Sequence, residues 1–566
     1  MQPTGRILTR RTFLAIGSGG GVSALLMACG GANPTPATTS QGASAAPASS
    51  ASSASAAPTN TAAAIATAAP AAPQIAPTAV ASPVTTRTAV AQSVGTLRVS
   101  HPSKLNSLDP SGTNSLDSAT LTVGRHIFDQ LVTKDPKTGS YLPSLATKWE
   151  VVDPQTWVFT LRGDAKFHDG TQVTSADVKA TLDRIVQLKG PIQPLWATLT
   201  GVETPDPLTA RLKFSAPIGT VLASAAFLNI LPGAKMAQEG FFNKPIGSGP
   251  YKVVDFKPDN ALTLEANPTH WGGPPALQSI VFRIIPEVTA RLTAVETGEL
   301  DLTWTIPPDQ LSKLKQNQNL TVTPTPSYTY YFIWMNSKRP PFTDKRVRQA
   351  MLYAIDVDSM VKNLLVGVGT RAQAPIPATV FGFAPQTPYA YDPAKAKQLL
   401  TEAGFPQGVS VNDMHWTLTG GPQIKEIADT LVAYWDAAGI KVKSNLEEPG
   451  IWLDKNVKLD WDMQLQTNAV LTGDADFTLR RLYTSAANRN GYANPDLDKA
   501  LLDAAATADP AQRATLYAQA NKIIWDDAVG IFPFDLTENY VASKKVVGFT
   551  PPPGGIPYLG NLTLQR

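Results

Sequence analysis

One cysteine in 566 residues excludes an intrachain disulfide and leaves no thiol set for a zinc site. Histidine is scarce as well. His101, His126, His168, His270 and His415 are scattered, and no pair has the spacing that puts two ligands on one helix face. No metal or other cofactor is expected. The chain lacks a Gly-x-Ser-x-Gly elbow, a His-Glu-x-x-His pair and a phosphate loop. Its carboxylates show no spacing that singles out a catalytic pair. These absences argue against an enzyme. The net charge of +3, with 16% charged residues, gives no basic footprint for nucleic acid. Charge is missing altogether between Arg11 and Arg87. Residues 30–94 are mostly Ala, Ser, Thr and Pro, a composition that cannot bury enough apolar surface to offset its ordering entropy, so this segment is expected to be a disordered tether.

The lone cysteine has a telling position. Thr9-Arg10-Arg11-Thr12-Phe13-Leu14 has the form of a twin-arginine export signal. An apolar, Gly-rich stretch follows and ends Leu26-Met27-Ala28-Cys29, the form of a lipobox. The stretch is too short for a stable membrane span and follows basic residues. Residues 1–29 therefore read as a signal peptide, and Cys29 as a lipidation site that would hold the mature protein at the membrane.

Beyond the tether, strand and helix patterns alternate. Gly95–Val99 opens with a short strand pattern, and Asp117 to Val132 reads as a helix with Leu121, Ile127, Phe128 and Leu131 apolar. Two β-rich runs, Trp149–Val152 and Trp157–Arg162, flank a turn cluster and predict a hairpin. Ser175 is expected to cap a helix lined by Val178, Leu182 and Ile185. Thr329–Met335 reads as an aromatic strand. Thr343-Asp344 opens an amphipathic helix with Val347, Met351, Ala354, Ile355 and Val361 on its buried side. This alternation predicts an α/β architecture with more than one lobe.

Several blocks then become recognisable in order: Leu142-Pro143-Ser144-Leu145-Ala146 through Trp149, Lys166-Phe167-His168-Asp169-Gly170, Gly247-Ser248-Gly249-Pro250-Tyr251, Pro341-Phe342-Thr343-Asp344, Tyr391-Asp392-Pro393 and Asn494-Pro495. Together they resemble the extracytoplasmic solute-binding proteins of the peptide/nickel/opine class of ABC importers, the dipeptide- and oligopeptide-binding type of family 5. The resemblance runs from about Leu97 to about Gly548. It implies a two-lobed periplasmic-binding-protein type II fold with an inserted third subdomain. Residues 95–137, 237–327 and 522–566 would form lobe I, 138–236 the insert and 328–521 lobe II. Hinge crossings would lie near Pro326–Asn336 and Trp525–Asp535. The implied role is capture of a peptide or peptide-like solute for a membrane permease, by a monomer lipid-anchored to the cell membrane or in the periplasm. An oligosaccharide, opine or metal chelate is the alternative solute.

Aromatics at strand ends are the first solute contacts to consider: Trp304, Trp416, and Tyr328, Tyr330 and Trp334 on or beside the hinge strand. Accessible tryptophans would suit stacking on sugar rings. The loop from Asn468 to Phe477 bears on solute identity. Oligopeptide binders carry an acidic residue there, shortly before an acid-Pro step, that receives the peptide ammonium. If Asp474-Ala475 fills that step, the amine position falls at Leu471, which cannot do this work. A slip of one turn would let Asp474 or Asp476 serve instead. Arg480 is a candidate for a solute carboxylate, with surface or carboxylate pairing as its other reading.

Overall fold

The structure is a computed structural model that describes residues 93–565. The signal segment with Cys29 and nearly all of the 30–94 tether lie outside the described residues.

Leu97 and Val99 are fully buried while Thr96 and Arg98 are exposed, the period-two pattern of a strand with one covered face. That strand, Ser93–His101, pairs in parallel with Leu277–Ile284 and with Leu302–Trp304. A second parallel group consists of Val409–Trp416 flanked by Ile440–Leu446 and Met463–Ala469. Two antiparallel strands lie between the groups: the long strand Leu320–Met335 and the return strand Phe534–Ser543. Among the described residues, this makes one twelve-stranded mixed sheet.

The long strand gains a second partner halfway. Leu320–Pro326 pairs with the return strand, and Thr329–Met335 pairs with Met463–Ala469, with the register broken between Pro326 and Tyr330. Pro324 and Pro326 lack the N–H that a continuous ladder requires.

A separate four-stranded antiparallel sheet is ordered Ala146–Asp153, Thr156–Leu161, Thr209–Phe214, Leu199–Asp206. The predicted hairpin forms its first pair, with Trp149 opposite Phe159. Its own core includes Trp157, Phe159, Val178 and Leu182.

Three helix expectations need correction. The predicted Asp117–Val132 helix is only Ser118–Ile127, because Phe128 turns extended and its N–H closes the last turn onto Gly124. Val132 then starts the short strand Val132–Lys134. Thr174, not Ser175, caps the next helix, in a capping box with Asp177. The helix expected to run through Val361 is two, Lys345–Tyr353 and Val357–Leu364, with the Asp356 carboxylate capping the second at the Ser359 N–H, 3.0 Å. No helix among the described residues is long and apolar enough to cross a membrane.

The Gly247–Tyr251 block threads between the end of the first helix and the His168 turn. Gly249 N–H donates to the Ile127 carbonyl at 2.9 Å. His168 accepts from Gly247 N–H at Nδ1, 3.2 Å, and donates from Nε2 to the Gly249 carbonyl, 3.0 Å. Burial pushes this imidazole down to about 4, so it stays neutral and keeps that tautomer. A Cβ at Gly247 would fall 1.9 Å from the Ile127 carbonyl oxygen. Gly247→Ala should therefore lower stability by about 1–3 kcal/mol through overpacking. Denaturant unfolding measures this, and an unchanged midpoint would disprove the close approach.

Candidate functional site

Ligands of open α/β sheets gather outside the carboxyl ends of the strands, where order in the sheet switches. Here the register fixes where those ends point. Trp304, the last residue of its strand, lies opposite Tyr540, and the strand runs on toward lower-numbered residues of the return strand. Thr537 and Asp535 of that strand lie opposite Pro326 and Tyr330. From the other side, Ala469 ends its strand opposite Thr329. Both parallel groups therefore aim their carboxyl ends at one place, the break at 326–330.

The break is held by its own hydrogen bonds. Ser327 Oγ donates to the Leu536 carbonyl at 2.9 Å and accepts from Thr329 N–H at 3.0 Å. Thr379 Oγ1 donates to the Ser327 carbonyl at 2.9 Å. Tyr328 donates its N–H to the Pro553 carbonyl, and its own carbonyl accepts from Val470 N–H. The half-buried Tyr328 ring thus stands beside the loop that follows Ala469. Gly473 in that loop has φ +61°, and a Cβ there would fall 2.5 Å from the Tyr328 ring and 2.7 Å from Lys134 Nζ. Only glycine fits both conditions.

Lys134, at the end of Val132–Lys134, reaches the same loop. Its Nζ donates to the Thr472 carbonyl at 3.1 Å and the Gly473 carbonyl at 3.2 Å. It also lies 5.6 Å from the centre of the Tyr328 ring and 5.8 Å from that of Tyr141. Desolvation lowers its pKa below the usual lysine value, opposed by the charge of Asp474. Leu471, between these residues, packs on the core of the four-stranded sheet.

On the other flank, Thr305 follows Trp304 with φ +59°, a left-handed conformation that is strained for threonine. Its N–H donates to Glu538 Oε1 at 2.7 Å, and its carbonyl accepts from Arg291 at 3.0 Å. Burial pushes the Glu538 carboxyl up to about 7 and the Asp535 carboxyl up to about 7. Neither forms an ion pair within 4 Å among the described residues.

The sequence candidates divide. Tyr328 sits in the break. Asn468 lies beside it, its amide donating to Thr478 Oγ1 at 3.0 Å and its carbonyl accepting from Arg481 at 3.4 Å. The others are committed elsewhere. Asp474 is 2% exposed, and both its oxygens accept from Arg513, at 2.9 and 2.7 Å. Asp476 and Arg480 form a two-pronged pair at 2.8 Å along one helical turn. Neither aspartate offers a free carboxylate to a solute ammonium, which corrects the expectation that one could replace Leu471, and Arg480 takes its carboxylate-pairing reading.

The tryptophans are held in apolar packing. Trp304 stands edge-on to His101 at 5.0 Å and is 2% exposed. Trp416 is buried, with Nε1 donating to Ser444 Oγ at 2.8 Å. Trp334 stacks on Trp461 and donates to the Tyr483 hydroxyl at 3.1 Å. Tyr330 is fully buried against Phe332 and Phe532. Sequence reasoning missed Lys134, Tyr141, Thr305, Arg513 and Glu538. A lysine ending a short apolar run was one local signal, and Tyr141 lies opposite it in a local strand pair; the others depend on chain segments far apart in sequence.

Comparison with known proteins bears on this geometry. Residues 140–490 match the family described as bacterial extracellular solute-binding proteins, family 5, middle region. The glutathione-binding protein GsiB of Pectobacterium atrosepticum is 31% identical over 469 residues, covering 79% of this chain and 90% of that protein. The solved structure of HbpA2 from Haemophilus parasuis superposes with a TM-score of 0.75 at 25% identity, covering 83% of this chain and 100% of the other. DppA from Helicobacter pylori, an ABC transporter-associated periplasmic binding protein in complex with peptide STSA, superposes with a TM-score of 0.69 at 24% identity, covering 84% and 99%. The fold is therefore the two-lobed type II periplasmic-binding-protein fold expected from the sequence.

The two ion pairs of the loop should differ sharply when broken. Asp474→Ala strands a buried guanidinium and should cost about 3–5 kcal/mol. Arg480→Ala removes a half-exposed partner but leaves the Asp476 carboxylate, 6% exposed, without it, and should cost about 1–2 kcal/mol. Denaturant unfolding of both variants compares them directly, and equal costs would contradict the buried role of Arg513.

Proposed function

Because the chain belongs to the bacterial extracellular solute-binding proteins of family 5, we propose that it captures a peptide or peptide-like solute at the 326–330 break and delivers it to an ABC permease. The observation that carries this reading is the convergence of two groups of strand ends on one short segment of the long strand. This is a family of transport components, not of enzymes, and its members act outside the cytoplasm. The curated relative named for glutathione makes tripeptide-sized solutes the first to test. Burial of Trp304 and Trp416 removes the support that stacking surfaces would have given to a sugar.

On this reading, residues 95–137, 237–327 and 522–566 form one lobe, 328–521 the other, and 138–236 the insert. The long and return strands are the crossings between lobes. Solute that binds both lobes shifts the population toward the closed form by its differential affinity for that form. Lipid on Cys29 holds the monomeric receptor near its permease, and the 30–94 tether sets its reach.

A panel of glutathione and di- and tripeptides, followed by thermal unfolding, tests the receptor role. A true solute at 100 times its Kd should add about 2.7 kcal/mol of stability. If none of the panel raises the midpoint, the peptide reading fails. Cys29→Ala should abolish labelling by a radioactive fatty acid and release the protein from the membrane fraction, with solute binding unchanged. Continued labelling would refute Cys29 as the lipidation site.

A further inference from the structure

A buried ammonium is costly unless a carboxylate or equivalent oxygens compensate it. Lys134 is an unusual case. Its two hydrogen-bond acceptors are backbone carbonyls, and no carboxylate lies within 4 Å of Nζ among the described residues. An ammonium has three donors, so one is left over. The carboxylates of the loop do not fill that place, since Asp474 is held by Arg513 and Asp476 by Arg480. The two carboxylates of the loop are thus taken by two arginines, and the Lys134 ammonium stands beside them with carbonyl acceptors alone.

Two phenol rings stand beside the same ammonium. The ring centres of Tyr141 and Tyr328 lie 5.8 and 5.6 Å from Lys134 Nζ. Burial pushes the Tyr328 phenol up to about 12 and that of Tyr141 further up, so both are protonated at neutral pH. Neither hydroxyl has a hydrogen-bond partner among the described residues. These side chains come from three separate segments: the strand Val132–Lys134, the strand Tyr141–Pro143 and the break itself.

We propose that Lys134 selects a solute by its negative end: a carboxylate seated against its ammonium, with the hydroxyls of Tyr141 and Tyr328 as further donors. This rests on the receptor reading and specifies the recognition it uses. The loop that would seat an ammonium in a peptide binder carries Leu471 instead and is tied to a cation. Recognition here therefore runs through the carboxylate end. Charge-assisted hydrogen bonds in a partly desolvated site are strong enough to decide between an acid and its neutral analogue.

Calorimetric titration of trialanine against trialanine amide, and of glutathione against its dimethyl ester, tests this. The free acids should bind about tenfold or more tightly than the neutralised forms. Lys134→Met should bring that ratio below about threefold, and Lys134→Arg should keep it. A lysine that only ties the loop would change stability but leave the ratio intact, and that outcome overturns the proposal. Equal binding of acid and neutral forms by the unaltered protein also overturns it while leaving the receptor role standing. If no peptide of either form binds, the peptide reading itself has failed and this proposal falls with it. The acid-to-neutral comparison in the unaltered protein is decisive even if Lys134→Met does not fold.

Discussion

The break in register of a single strand, where it gains a second partner, organises this molecule. Leu320–Met335 is one continuous strand, yet its first half pairs with the return strand, while its second half also pairs with Met463–Ala469 and meets the return strand in a shifted register. Because side chains alternate with a period of two, the register in each half is fixed by which face is buried. The two halves cannot slide independently without turning Tyr330, Phe332 and Trp334 out of one core or Leu320 out of another. The mismatch between halves has to be absorbed somewhere, and the chain absorbs it at 326–330. Ser327 caps the local backbone there, and Tyr328 joins segments from three parts of the sequence. The backbone of the break is bonded to side chains and to other segments instead of a continuous ladder, and the converging strand ends supply the side chains around it.

Charge is then sorted by burial. Arg513 and Asp474 sit almost without solvent and bond to each other, while Arg513 also donates to the Tyr517 hydroxyl and the Ala504 carbonyl and Asp474 also accepts from the Asp476 N–H. Such a pair adds little net stability compared with an apolar filling, but removing one member is expensive. Its consequence is conformational: the start of the helix Ala475–Tyr483 is pinned, so the loop 470–474 before it has a defined path. Phe381 bonds to both Gly473 and Ala475 and holds that path from the far side. The loop is a rigid presentation of carbonyl oxygens, and Lys134 is the cation that uses them.

Much of the fold was legible in the sequence because it depends on local signals. The Trp149 hairpin and the aromatic strand Thr329–Met335 followed from alternation and turn residues. Ordered blocks such as Gly247–Tyr251 pointed to the family, although their own work is structural: Gly247 and Gly249 admit the Ile127 carbonyl and the His168 ring. Helix ends were misread where a polar residue outcompeted an apolar stripe, as Asp356 does in restarting a helix. The site was less legible for a different reason. Trp304 and Trp416 are at strand ends, as read, but residue type does not say whether a strand-end indole faces a crevice or a core. Asp474 looked free because its partner, Arg513, lies 39 residues away. Lys134 and the loop it clasps are more than 300 residues apart, |i−j| being 338 for Thr472. No local pattern encodes such a meeting.

On the proposed lobe division, contacts away from the break also bear on closure. Gly219 donates its N–H to the Ala505 carbonyl at 2.7 Å, tying the insert to the end of the helix Pro495–Ala506. A Cβ at Gly219 would fall 1.6 Å from the Thr507 carbonyl oxygen, so the approach is backbone to backbone. A hydrogen bond of this kind contributes only about 0.5–1.5 kcal/mol net, because opening exchanges it for water. The Lys134 bonds follow the same logic, with the added gain that the ammonium is rehydrated on opening. Ties of that size bias an equilibrium without locking it. They leave the decision to a solute that touches both sides of the break, which is the condition under which binding energy becomes lobe closure.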